Sequence, residues 1–136
     1  MAKNIVYIGV FLSDDSRASL LSAFPPKHEK TLADHVTLKF KPKPEEAEAL
    51  ELGSFVTMKV VGYAEDEKGQ AVVIELIDAG QDILTLTANA NKILHITISV
   101  SAGTSPVYSN ALLETGFEKI SGPILIGSLD TFPRSV

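Results

Sequence analysis

Two stretches of the chain are written to one pattern: DHVTLKF at residues 34–40 and LHITISV at residues 94–100. In each, a histidine is followed by a β-branched apolar residue, a threonine, and further apolar chain. Such alternation suits a strand buried on one face, because successive strand side chains point to opposite sides. His35, Thr37 and Lys39 are then expected on one face, with Val36, Leu38 and Phe40 on the other. In the second stretch His95, Thr97, Ser99 and Ser101 stand opposite Ile96, Ile98 and Val100. The chain holds three histidines. Two of them in matching frames restrict the fold more than any other feature.

The elements behind each stretch repeat as well. After His35 come a strand, a loop, Pro44, a short helix reaching Leu50, and Gly53. After His95 come a strand, a loop, Pro106, a short helix carrying Leu112 and Leu113, and Gly116. Proline at a first helical position and glycine just past the last are start and stop signals. The order predicts two similar lobes, each delivering one His-x-Thr strand. At 136 residues neither lobe has enough chain to bury a core alone, so residues 1–136 are expected to form a single domain.

The remaining chain fits around these lobes. Residues 4–12, NIVYIGVFL, read as a buried strand. Lys3 and the apolar run have the look of a leader, but SDD comes next with no small-residue cleavage site. Ser13 is a helix cap, Asp14 and Asp15 suit a first turn, and Leu20, Leu21 and Phe24 give the helix an apolar side until Pro25-Pro26. Residues 54–77 predict a hairpin around EDEKG. Residues 81–92 are helix or loop, and PILIGSLDTF is a last strand.

An apolar fraction of 45% and a charged fraction of 21% are those of an ordinary globular protein. No apolar run has membrane-spanning length, so no membrane partner and a cytoplasmic location are expected. With no cysteine, disulfides, thiolate nucleophiles and thiolate metal sites are excluded. The net charge is −5, and basic residues gather only at KFKPK (39–43), with Lys27, Lys30 and Arg134 elsewhere. Proteins that grip long nucleic acid carry a broad basic face. A small nucleotide or a single RNA end is the expected partner, with no long nucleic-acid surface. No heptad or wide apolar stripe is present, so a monomer is expected.

Two imidazoles and two hydroxyls facing one groove suit in-line displacement at phosphorus. A neutral histidine takes a proton from the attacking water, and a protonated one gives a proton to the leaving oxygen. Each role contributes on the order of 10²–10⁴ in rate. Threonine hydroxyls hold the non-bridging oxygens, whose charge must be stabilised in the transition state. Two histidines without clustered carboxylates make a poor zinc site, so neither metal nor other cofactor is expected. A lone His-x-Thr is most simply a packing or surface histidine; the repeat within a repeated order favours function. His28, in PPKHEK, reads as a solvated loop residue.

The segments HVTL and HITI resemble the paired H-x-T-x signatures of the two-histidine (2H) phosphoesterase superfamily. ADHVTLKFKP, VVGYAED and HITISVSAGTSPVYSNALL are most similar to its Swiss Army Knife RNA-repair-like branch. The resemblance covers about residues 33–115. It implies a bilobal, pseudo-symmetric α+β fold: two antiparallel sheets facing across a central groove, with helices outside and no metal. It implies hydrolysis of a cyclic phosphodiester, commonly a 2′,3′-cyclic end opened to a 2′-phosphate. His35 and His95 carry over as the catalytic acid/base pair, Thr37 and Thr97 as phosphate-binding residues. Larger members carry extra helices and basic or aromatic platforms for RNA. This chain is compact and acidic, so a tRNA-sized substrate is not expected.

Three further residues have two readings each. Lys39 either neutralises a phosphate or is a solvated edge lysine. Ser105 is a helix cap that also sits where a helix N-terminus meets an anion. Tyr108 either stacks on a base or packs in the core, and helix aromatics favour packing. Lys41 and Lys43 are most simply solubilising. The competing functions are cleavage of cyclic oligonucleotide signals, a non-catalytic phosphate-end or RNA-binding module, and a structural β-rich domain. Which histidine is acid and which is base stays open.

Overall fold

A computed structural model describes residues 5–88 and 93–133. Along these the elements run β1 (Tyr7–Leu12), α1 (Asp14–Ala23), β2 (Lys30–Thr31), β3 (His35–Phe40), α2 (Pro44–Glu48), β4 (Phe55–Glu65), β5 (Gly69–Asp78), α3 (Gln81–Ala88), β6 (His95–Val100), α4 (Tyr108–Glu114), β7 (Glu118–Lys119) and β8 (Ile124–Phe132). The α+β class expected from the sequence is the one adopted. Both His-x-Thr segments are strands, and the 54–77 region is the hairpin β4–β5. Residues 81–88 of the ambiguous stretch are helical; the rest of it, 89–92, lies outside the described residues.

Local chemistry accounts for the helix ends. The Ser16 N–H donates to Ser13 Oγ at 3.1 Å, which caps α1. Pro44 opens α2, where its missing N–H costs nothing. Gly53 and Gly116 come after α2 and α4 with φ of 91° and 119°, a backbone region that disfavours a Cβ. The proline start expected for both helices holds for α2 only: α4 begins at Tyr108 with Val107 as its cap, so Pro106 lies outside it, while the glycine stops hold for both.

The strands form one antiparallel path, β2-β6-β5-β4-β8-β1-β3, with β7 added on β4. The expected two sheets are one continuous sheet instead, because the β4–β8 ladder joins the two halves. The path also bends back on itself. Residues 30–33 run along β6, with Leu32 N–H bonded to Ile98 O at 2.8 Å and Ala33 N–H to Thr97 O at 2.8 Å. One residue later Asp34 O accepts from Leu12 N–H at 2.9 Å, so the chain has moved onto the edge of β1. Ala33 makes this corner, fully buried and with a positive φ of 55°.

The main core lies on one face of the sheet. It joins Val36 and Leu38 of β3, Ile96 and Ile98 of β6, Ile8 and Val10 of β1, and Leu20, Ala47, Leu50 and Ile83 from the helices and their ends. Residues from both halves share it. Burying one such Ile or Leu side chain contributes roughly 1.5–3 kcal/mol. A smaller cluster, Ala64, Ala71, Val73, Leu112 and Leu113, holds α4 against β4 and β5.

Candidate functional site

Opposed residues in an antiparallel ladder share a face, so the register can be traced from one histidine to the other. His35 faces Phe11, Phe11 faces Ser128, and Ser128 faces Phe55. Along β4 the same side carries Phe55, Thr57 and Lys59, and Lys59 faces Glu75. Two residues back from Glu75 along β5, Val73 faces His95. Both histidines therefore stand on the face opposite the main core. The start of β3 also lies beside β6. Ala33 is bonded to Thr97 O, and two residues span at most ~7 Å. The His35 backbone thus lies within about 12 Å of that carbonyl.

His35 is held by side chains. Its Nδ1 is 2.6 Å from Asp34 Oδ1. The carboxylate only accepts, so Nδ1 carries the proton and Nε2 carries the lone pair of the neutral ring. The same hydrogen bond holds the Asp34 carboxyl below the usual range, against the opposing effect of burial. The His35 ring stacks on Tyr7, with centroids 4.9 Å apart and planes at 17°, and on Phe11 at 5.7 Å. Gly9 permits this. A Cβ there would meet Val36 O at 2.6 Å and the Tyr7 ring at 3.3 Å.

His95 is held by main chain. Its Nδ1 donates to Ile93 O at 2.8 Å, which fixes the same tautomer. Thr97 Oγ1 is 2.7 Å from Oγ of the fully buried Ser109 on α4. The hydroxyl of Thr37 has no hydrogen-bond partner among the described residues. Ser99, expected beside Thr97 on the open face, is buried. Its Oγ donates to Gln70 Oε1 at 2.6 Å and accepts from the N–H groups of Lys27 and His28. His28 is likewise no solvated loop residue: it is half-buried, with Nε2 2.9 Å from Asp66 O.

The strand parity expected for residues 39 and 40 is reversed. Gly9 faces Thr37 while Ile8 faces Lys39, so Leu38 is the extra residue of a β-bulge. Lys39 thereby opposes the buried Ile8, and its ammonium lies 3.7 Å from Glu46 on α2. Phe40 opposes Tyr7 on the histidine face and is half-exposed. Ser105 does not cap α4 directly: it precedes the helix by three residues and its Oγ accepts from Val107 N–H at 3.3 Å. Tyr108 packs against the smaller cluster and donates its hydroxyl to Asp66 Oδ2. Burial raises the Asp66 carboxyl, but bonds from Tyr108 and from Lys68 and Gly69 N–H outweigh it and hold the group low. The Tyr108 hydroxyl is correspondingly raised.

Asp34, Tyr7, Phe11, Phe40 and Phe132 are the residues that sequence reasoning did not place at the site. Asp34 carried a usable signal, since it immediately precedes His35. Tyr7, Gly9 and Phe11 share strand parity, but nothing local says which strand they join. Two cavities have linings that include no imidazole. One of about 290 Å³ is bordered by Phe11, Ser13, Phe55 and Ser128. The other, of about 460 Å³, is bordered by Tyr63, Glu65, Asp66 and Phe117.

No protein-family profile matches the chain, and no curated protein does. A solved structure of a fungal RNA kinase is similar, with a TM-score of 0.62 and 17% sequence identity over 94% of this chain. The match spans 42% of that kinase chain, and at this identity the likeness is one of fold.

Proposed function

We propose that the chain is a phosphodiesterase that opens a 2′,3′-cyclic phosphate, on a nucleotide or short RNA end, to a 2′-phosphomonoester. The observation that carries this reading is the shared face of the two His-x-Thr strands, with the start of β3 tied to Thr97 O through Ala33. One neutral imidazole takes a proton from water as the water oxygen attacks phosphorus. The bond from phosphorus to the 3′ oxygen breaks, and the second, protonated imidazole gives that oxygen its proton. Thr37 and Thr97 hydroxyls donate to the non-bridging oxygens. The Asp34 carboxylate balances positive charge on the His35 ring, as an orienting carboxylate does in other acid–base sites.

Among the described residues no three His, Cys, Asp or Glu side chains gather as a ligand set. The likeness to an RNA kinase agrees with a substrate at RNA ends. Transfer from a nucleoside triphosphate is the weaker reading, because the chain has no G-x-x-x-x-G-K-[ST] phosphate loop.

A panel of 2′,3′-cyclic nucleotides, a short RNA ending in a cyclic phosphate, and a cyclic dinucleotide tests the proposal. Products are identified by phosphorus NMR, with EDTA present. Formation of the 2′-monoester at an EDTA-insensitive rate is expected. Turnover of the cyclic dinucleotide alone would move the substrate to signalling nucleotides. No turnover of any member would end the hydrolase reading.

A further inference from the structure

Across β3, β1 and β8 the register lines up Phe40, Tyr7 and Phe132 as one row on the histidine face. The Tyr7 and Phe132 rings are 5.2 Å apart and nearly parallel, at 6°. The outer members of the row are 49% and 47% exposed, for Phe40 and Phe132 respectively. Aromatic side chains are normally placed to remove their faces from water. Two half-open rings flanking a third, beside a histidine, therefore call for an occupant.

We propose that this row is a stacking platform for one nucleobase, so that the ligand of this face is a nucleoside phosphate rather than a bare sugar phosphate. The phosphate position rests on the acid–base reading above; the platform itself stands on the ring geometry. Three observations select a base. The His35 ring lies 4.9 Å from Tyr7. The Phe132 ring can then be no more than about 10 Å from His35, the two centroid steps laid end to end. That is the scale of a single nucleoside. The row offers flat π surface and little hydrogen bonding, the mode in which bases are held with little regard to identity. Finally, the Lys41 ammonium lies 5.6 Å from the Phe40 ring, while a net charge of −5 opposes a longer polyanion. A base, its sugar and one phosphate match this short span of aromatic and cationic surface.

The test uses the whole chain with His95→Ala, which removes turnover and leaves the row intact. Calorimetry compares adenosine 2′-monophosphate with methyl riboside 2-phosphate, its base-free counterpart. The base is expected to tighten binding by on the order of tenfold to a hundredfold. In the same background, Phe132→Leu keeps apolar bulk without a π face and should remove most of that ratio, while Phe132→Trp should restore it. Phe40→Leu should reduce it in the same sense. Equal affinity for the two ligands, or a ratio unchanged by Phe132→Leu and Phe40→Leu, would overturn the platform. The two proposals fail separately. Base-dependent binding without turnover by the unsubstituted protein would remove the hydrolase and keep the platform. Equal kcat/KM on cyclic phosphates with and without a base would do the reverse.

Discussion

Around His35 the neighbours are side chains: a carboxylate on one ring nitrogen and two aromatic rings against its faces. On His95 the same nitrogen is met by the main-chain oxygen of Ile93. The threonines differ in the opposite sense. Thr97 is tied to the buried Ser109, while Thr37 keeps its hydroxyl unengaged among the described residues. Two strands with nearly the same lettering thus engage the same ring nitrogen by different means. Main-chain support survives substitution nearby. Side-chain support can be removed one group at a time.

This contrast can be broken or sharpened by substitution. His35→Ala and His95→Ala should each lower initial rates on a 2′,3′-cyclic nucleotide by roughly 10²–10⁴, whereas His28→Ala should leave the rate near that of the parent. A loss under threefold for either of the first pair would remove that ring from the chemistry. The threonines come next. A hydrogen bond to a charged group is worth roughly 1.5–3 kcal/mol, so Thr37→Ala and Thr97→Ala should each slow turnover by about ten- to a hundredfold. Only Thr97→Ala should also lower the melting temperature, since it strands Ser109. Equal melting temperatures for both variants would show that the Ser109 tie carries no stability.

Gly9→Ala addresses the aromatic side of His35. A Cβ 2.6 Å from Val36 O forces β1 and β3 apart, at a cost of about 1–3 kcal/mol as in other overpacked sites. A melting temperature within one degree of the parent would show that the β1–β3 edge yields freely. The smallest change concerns acid. Asp34 is held low by His35, so its contribution is present above the unfolded carboxyl value of about 3.9 and is lost as pH falls through the lower folded value. Asp34→Asn should reduce thermal stability modestly at neutral pH, with the gap closing below about pH 4. Its side chain is half-exposed, which keeps the effect small. A gap that widens in acid would contradict the pairing.

Alternation along 35–38 and 95–98 was legible in the sequence because it is a local property of the chain. So were the Pro and Gly limits of α2 and the Ser13 cap. The exchange of Lys39 and Phe40 was not legible. It depends on one extra residue opposite Gly9, and a bulge is set by two strands together rather than by either alone. Ser99 misled for the same reason: Gln70 faces Ser99 while Ala71 faces Thr97, so Ile98 is the extra residue of a second bulge and Ser99 turns to the opposite face, where it accepts from the N–H groups of Lys27 and His28. Tyr7 and Phe132 are separated by nearly the whole chain and meet only through the β1–β8 ladder. The sequence order of β1 and β8 gives no hint of that pairing.

The Ala33 corner sets how much freedom β3 has relative to β6. On one side Ala33 is bonded to β6, and one residue further on Asp34 is bonded to β1, leaving no slack chain between the anchors. In the proposed mechanism such a hinge-free joint works as a gauge of constant width. A ligand would be sorted by whether it already fits, with no strand having to shift when it arrives.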